Sequence, residues 1–125
     1  MQFKDLRYKP SKCHLKTTIN NSGQLISQMG KYVLLVRWTD QGLKNVKDTI
    51  KRAESFKSYL EKKGGKLTNI LYTFGKFDIV ITAELPSDEV AMSVSLSTGA
   101  LGNVRITTLK AFDLEETRKI IDGLK

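Results

Sequence analysis

An α+β fold built on one antiparallel sheet follows from three features of this 125-residue sequence. Four short runs, Tyr32 to Trp38, Lys66 to Thr73, Phe77 to Glu84 and Asn103 to Phe112, have the length and the β-branched and aliphatic composition of strands. Between the first pair and the last pair lie stretches whose apolar residues recur three and four apart, the period of an amphipathic helix. Glycine and proline mark the boundaries, at Gly64-Gly65, Gly75, Pro86 and the pair Gly99 and Gly102.

Each element has its own reason. Tyr32 to Trp38 is almost continuously apolar, as in a strand covered on both faces. Thr39 or Asp40 can cap a long helix with a side-chain oxygen. Its stripe is Leu43, Val46, Ile50, Ala53, Phe56 and Leu60, and Asp48 and Arg52, four apart, are expected to pair on its outer face. Gly64-Gly65 ends it, because glycine tolerates the left-handed terminal conformation. After the strand from Lys66, Phe74-Gly75-Lys76 makes a tight turn into the strand from Phe77. Pro86-Ser87-Asp88-Glu89 opens a second helix with acids where the helix dipole favours them; Val90, Ala91, Val94 and Leu101 give it an apolar side. Leu114, Thr117, Ile121 and Leu124, with Ile120 beside them, predict a last helix from Asp113 to Gly123. The order β-α-β-β-α-β plus a terminal helix is the ferredoxin-like arrangement, and right-handed crossovers give the sheet order 4-1-3-2.

Composition bounds the rest. With 40% apolar and 27% charged residues the chain is globular, and its length fits one domain, expected over residues 29–125. Residues 1–28 lack periodicity and carry Lys4, Arg7, Lys9, Lys12 and Lys16 against Asp5, so half of the formal charge of +8 sits in less than a quarter of the chain. They are expected to form a disordered, dispensable basic extension, Met29 being placed where a start codon would stand. Cys13 is the only cysteine, which excludes an intramolecular disulfide and fits a reducing compartment. Cys13-His14 alone cannot complete the four ligands of a closed zinc site, so no metal is expected. No apolar run approaches the roughly 18 residues that span a bilayer, and no secretory signal is recognisable. The expected location is cytoplasmic, without a membrane partner.

Four separated segments resemble one family in the same order. They are Val36-Arg37-Trp38-Thr39-Asp40-Gln41-Gly42, Gly75-Lys76-Phe77-Asp78, Glu84-Leu85-Pro86-Ser87-Asp88-Glu89 and Gly99-Ala100-Leu101-Gly102-Asn103-Val104-Arg105. The family is that of the GYD domain, small prokaryotic proteins of uncharacterised role, and the resemblance covers about residues 30–112. Phe77 stands where the family name has tyrosine, which removes a hydroxyl. The resemblance implies a ferredoxin-like fold that assembles into dimeric α+β barrels or larger oligomers, and it implies no particular chemistry.

Alternation along the strands selects a candidate site. Phe77, Ile79, Ile81 and Ala83 are wholly apolar and belong under the helices, which puts Asp78, Val80, Thr82 and Glu84 on the open face. Val33, Leu35 and Arg37 join them from the first strand, and Arg105, Thr107 and Leu109 from the last. In the order 4-1-3-2, Arg37, Asp78 and Arg105 meet at one end of that face, with Trp38 at the same strand end as a possible stacking platform. Two guanidiniums around one carboxylate suit a carboxylate or phosphate ligand, or form an ion-pair network at a subunit interface. Asp78 is expected to pair with Arg37 or Arg105, and a face carrying Val33, Leu35, Val80 and Leu109 is expected to be covered in a homo-oligomer.

The functional reading is a small oligomeric module that binds an anionic metabolite or a partner protein, without a cofactor. The alternative is a cofactor-independent oxygenase or isomerase of the dimeric α+β barrel type. From Met29 onward there is no histidine or cysteine to act as general base or thiol nucleophile, so such an enzyme would rest on Asp78, Arg37 and Arg105. The pattern argues against nucleic acid, because the central strands offer aliphatics and a carboxylate where RNA-recognition modules present stacking aromatics.

Overall fold

The structure, a computed structural model, describes residues 29–125 together with Thr18–Ile19 and Leu25–Ile26. Those two dipeptides, β1 and β2, pair antiparallel; the rest of the stretch expected to be a disordered extension, Cys13 and His14 included, lies outside the described residues. The main sheet is built from β3 (Gly30–Trp38), β4 (Lys66–Tyr72), β5 (Ile79–Leu85) and β6 (Val104–Ala111). Its helices are α1 (Asp40–Lys44), α2 (Thr49–Lys62), α3 (Asp88–Ala100) and α4 (Leu114–Asp122). The sheet order is β4-β5-β3-β6, all neighbours antiparallel. Numbered within this sheet it is 2-3-1-4, which read from the other edge is 4-1-3-2.

The apolar alternation separates the two sides of the sheet. Tyr32, Leu34 and Val36 of β3 and Ile79, Ile81, Ala83 and Leu85 of β5 are at most 6% exposed and meet Leu60 of α2 and Ala91 and Val94 of α3 in one core. The intervening Val33, Leu35, Val80, Thr82 and Glu84 face the opposite way and are only half-buried. Exposure rises to 44% at Leu109 and 54% at Leu71, on the edge strands. Burying an aliphatic side chain is worth about 1.5–3 kcal/mol, so the covered side carries most of the fold's stability.

One predicted helix is two. The chain leaves helical geometry at Asn45, whose carbonyl accepts from Asp48 N (3.0 Å) and Arg52 Nη1 (2.9 Å), and Val46–Asp48 turn as a 3-10 segment before α2 starts. The cause lies in Gly42, whose absent Cβ would meet Asn103 O at 1.9 Å. α1 is thereby wedged against the loop before β6 and cannot run on coaxially. The break rotates the stripe: Ala53, Phe56 and Leu60 keep to the core side, whereas Leu43 and Ile50 are more than half exposed. It also dissolves the expected Asp48–Arg52 pair, since Arg52 donates to Asn45 O and, at 3.4 Å, to Gly42 O. Leu101, expected inside, is 71% exposed just past the end of α3.

The last two elements follow their caps. Ser87 accepts from Val90 N at the start of α3. Asp113 and Glu116 form a reciprocal capping box on α4, which Lys31 of β3 binds from the side at 3.2 and 3.8 Å. Among the described residues α4 packs extensively on no other element, and its Leu114, Ile120 and Ile121 are at least half exposed.

Candidate functional site

The register brings Arg37, Asp78 and Arg105 to one end of the sheet. Arg37 lies directly opposite Arg105 in the β3–β6 ladder, both exposed and on the open face. Asp78 stands just before β5, its N–H bonded to Val36 O at 2.8 Å. Its carboxylate does not take the expected partner. Oδ2 accepts from Trp38 N at 2.9 Å, and neither guanidinium forms an ion pair with it within 4.0 Å. The reason is where the ladder ends: β5 starts at Ile79, two residues later than the sequence predicts, so the N–H of Trp38 lacks a carbonyl opposite and the Asp78 side chain supplies the acceptor. The turn that brings Asp78 there requires Gly75, at φ +120°, and is closed by Thr73 Oγ1 donating to Phe77 O at 2.6 Å.

Two arginines directly opposite each other repel. Among the described residues no carboxylate is within ion-pairing distance of either. The open-face end therefore presents two guanidinium forks beside Leu35 and the half-buried Val80.

Trp38 belongs elsewhere. One residue beyond Arg37, it turns to the helix side, where it joins the margin of the core and lies with its ring 6.5 Å from that of Tyr72. Its indole N–H is buried and finds no hydrogen-bond partner among the described residues. The ring forms part of the wall of a cleft of about 670 Å³ between α2, α3 and the sheet, together with Phe56, Tyr59, Tyr72 and Ile106. The cleft exists because α2 packs on β4 and α3 on β5 and β6 without extensive contact between the two helices.

The loops at this end are tied together by residues that the sequence motifs contain. Thr39 N donates to Asn103 O (3.0 Å), Thr39 Oγ1 to Gly102 O (2.5 Å), and Gln41 Nε2 to Leu101 O and Asn103 Oδ1. Gly102 sits at φ +90° to make this possible. Thr39, Gln41, Gly42, Gly102 and Asn103 thus act as a clasp, which explains two of the four resemblance segments by structure rather than by chemistry.

At the opposite end Tyr32 donates its hydroxyl to Asp88, and Lys110 lies 3.5 Å from the same carboxylate and 4.7 Å from the centre of the Tyr32 ring. The Tyr32 bond, then the nearby Lys110 charge, hold the Asp88 carboxyl below its ordinary value. Desolvation and the Asp88 bond push the Tyr32 phenol up. A phenol so raised stays protonated and fastens α3 to β3. No local pattern signals this triad, since residues 32, 88 and 110 meet only through the sheet order.

Among the described residues no three His, Cys, Asp or Glu side chains gather to hold a metal ion, and no helix is long and apolar enough to cross a membrane. What the described residues define is a small split-βαβ domain with an open sheet face and a cleft between α2 and α3. A family model described as GYD domain matches residues 32–121, more than half of the chain, and the chain belongs to the GYD domain family. No curated protein and no solved structure matches.

Proposed function

We propose that this domain is a small binding module whose open face is covered by a second copy of the chain, sheet against sheet as in a dimeric α+β barrel. In that reading Arg37 and Arg105 hold an anionic group of a small metabolite. The observation that carries it is the pair itself: two exposed guanidiniums in register, without an acid among the described residues, beside an apolar surface. Guanidinium forks match carboxylate and phosphate oxygens bidentately, and a bound anion relieves their repulsion. The half-buried Val33, Leu35 and Val80 and the exposed Leu109 support self-association, and the exposed apolar residues of α4 offer further surface for it.

Calorimetric titration with inorganic phosphate and with succinate tests the anion site. The reading expects at least one of them to bind, with affinity falling as salt rises, and Arg37→Gln or Arg105→Gln to weaken that binding by about tenfold or more, the scale of one charge-assisted hydrogen bond. Absence of binding by either anion, or equal binding by the variants, contradicts it.

A further inference from the structure

We infer that the cleft between α2 and α3 is a second binding site, on the far side of the sheet from Arg37 and Arg105. Its ligand class is an organic acid with an apolar, ring-bearing body.

Three observations carry this. The volume, about 670 Å³, lies in the range of small-molecule sites, roughly 300–1,000 Å³, and the lining is predominantly apolar. Trp38, Phe56, Tyr59 and Tyr72 give the walls their aromatic character, which favours stacking on a flat body. The charged group on the rim is held in place: Arg52 is pinned by the carbonyls of Asn45 and Gly42 and has no carboxylate of the described residues within ion-pairing distance. A guanidinium carries five N–H donors, so those two bonds leave others for a ligand.

The residues on the rim fit an anion better than a cation. Lys51 and Arg52 outnumber Asp48 there. The break at Asn45 is what positions the group. Had α1 and α2 been one helix, Asn45 O would accept from Thr49 N and would not anchor Arg52.

The sole tryptophan of the chain, Trp38, reports directly on occupancy. The test titrates the protein with anilinonaphthalene sulfonate and with phenylnaphthylamine, which has the same rings without the charge, and follows energy transfer from Trp38. Both probes are expected to quench Trp38, the sulfonate more tightly. Arg52→Gln is expected to weaken the sulfonate by about fivefold or more while leaving the neutral probe within about twofold, the loss of one charge-assisted bond. Arg52→Lys keeps the charge and is expected to fall between. Ala53→Leu, which fills the cleft floor, is expected to weaken both probes; if it unfolds, as circular dichroism would reveal, the Arg52 variants decide alone. Sulfonate binding that is unchanged in Arg52→Gln, or that is lost instead in Leu109→Gln on the open face, overturns the inference.

Discussion

The two sides of the central strands differ more than their compositions do. On one side of β3, Leu34 is 1% exposed and sits in the core; one residue later Leu35 is only half-buried, on the face opposite the helices among the described residues. Both are leucines in the same strand. What separates them is the pleat together with the two crossover helices, which the βαβ connections place on a single side. The covered side accounts for folding, and the open side is the one proposed to meet a second copy. Even the covered side is not fully closed, because α2 and α3 stand apart and leave the cleft.

The largest expected effect sets those leucines against each other. Leu34→Ala should cost about 2–5 kcal/mol in chemical denaturation at any protein concentration. Leu35→Ala should cost clearly less in dilute protein, and its cost should grow with concentration, since a contact between copies stabilises only the assembled state. Equal costs, independent of concentration, would erase the distinction between the faces.

Gly42 tests the clasp that shapes the cleft end. Gly42→Ala drives a Cβ into the Asn103 carbonyl and should cost about 1–3 kcal/mol or more, read as a lowered denaturation midpoint. An unchanged midpoint would mean that α1 is free to move away from the loop before β6.

Asp78 tests the open-face end. Asp78→Ala removes the acceptor for Trp38 N and should cost about 1–3 kcal/mol, whereas Asp78→Asn keeps an oxygen there and should cost about half as much or less. The opposite ranking, with Asn as harmful as Ala, would mean that the charge matters and that Asp78 is paired with an arginine after all, across an interface between copies.

The smallest effect is acid sensitivity. Partial burial pushes the Asp113 carboxyl up, but the Glu116 N–H and Lys31 outweigh it and hold the group below its ordinary 3.8. A carboxyl held lower in the folded protein contributes stability that is complete above 3.8 and fades as pH falls below it toward the folded value. Asp88 behaves in the same sense. Wild type should therefore lose stability more steeply than Asp113→Asn as pH falls below about 4; parallel curves would show that the Lys31 tie to α4 contributes nothing.

Much of this was legible beforehand because period and parity are local properties. The alternation of Ile79, Ile81 and Ala83 with Val80, Thr82 and Glu84 fixes which side of β5 is core, and the four strands and α3 fall close to where glycine and proline place them. The failures share a cause. Leu43 and Ile50 read as core because the spacing is helical from Asp40 onward; the contact that breaks the helix is with Asn103, about sixty residues away. Asp78 read as an arginine partner because charges attract, but the nearer unsatisfied group is a backbone N–H, visible only when the ladder's end is known. Arg52 read as half of a surface pair, and its hold on Asn45 exists only because the helix breaks there. Trp38 was placed at the right strand end, but its side chain lies on the opposite face from Arg37.

The most direct test of the open face as a surface that another copy covers is the molar mass in solution. Light scattering on the wild type at micromolar concentration should give at least about twice the 14.1 kDa chain mass, and Leu35→Glu, which puts a charge in the middle of that face, should return it to a single chain. A wild type that stays at 14.1 kDa across the micromolar range would contradict the account.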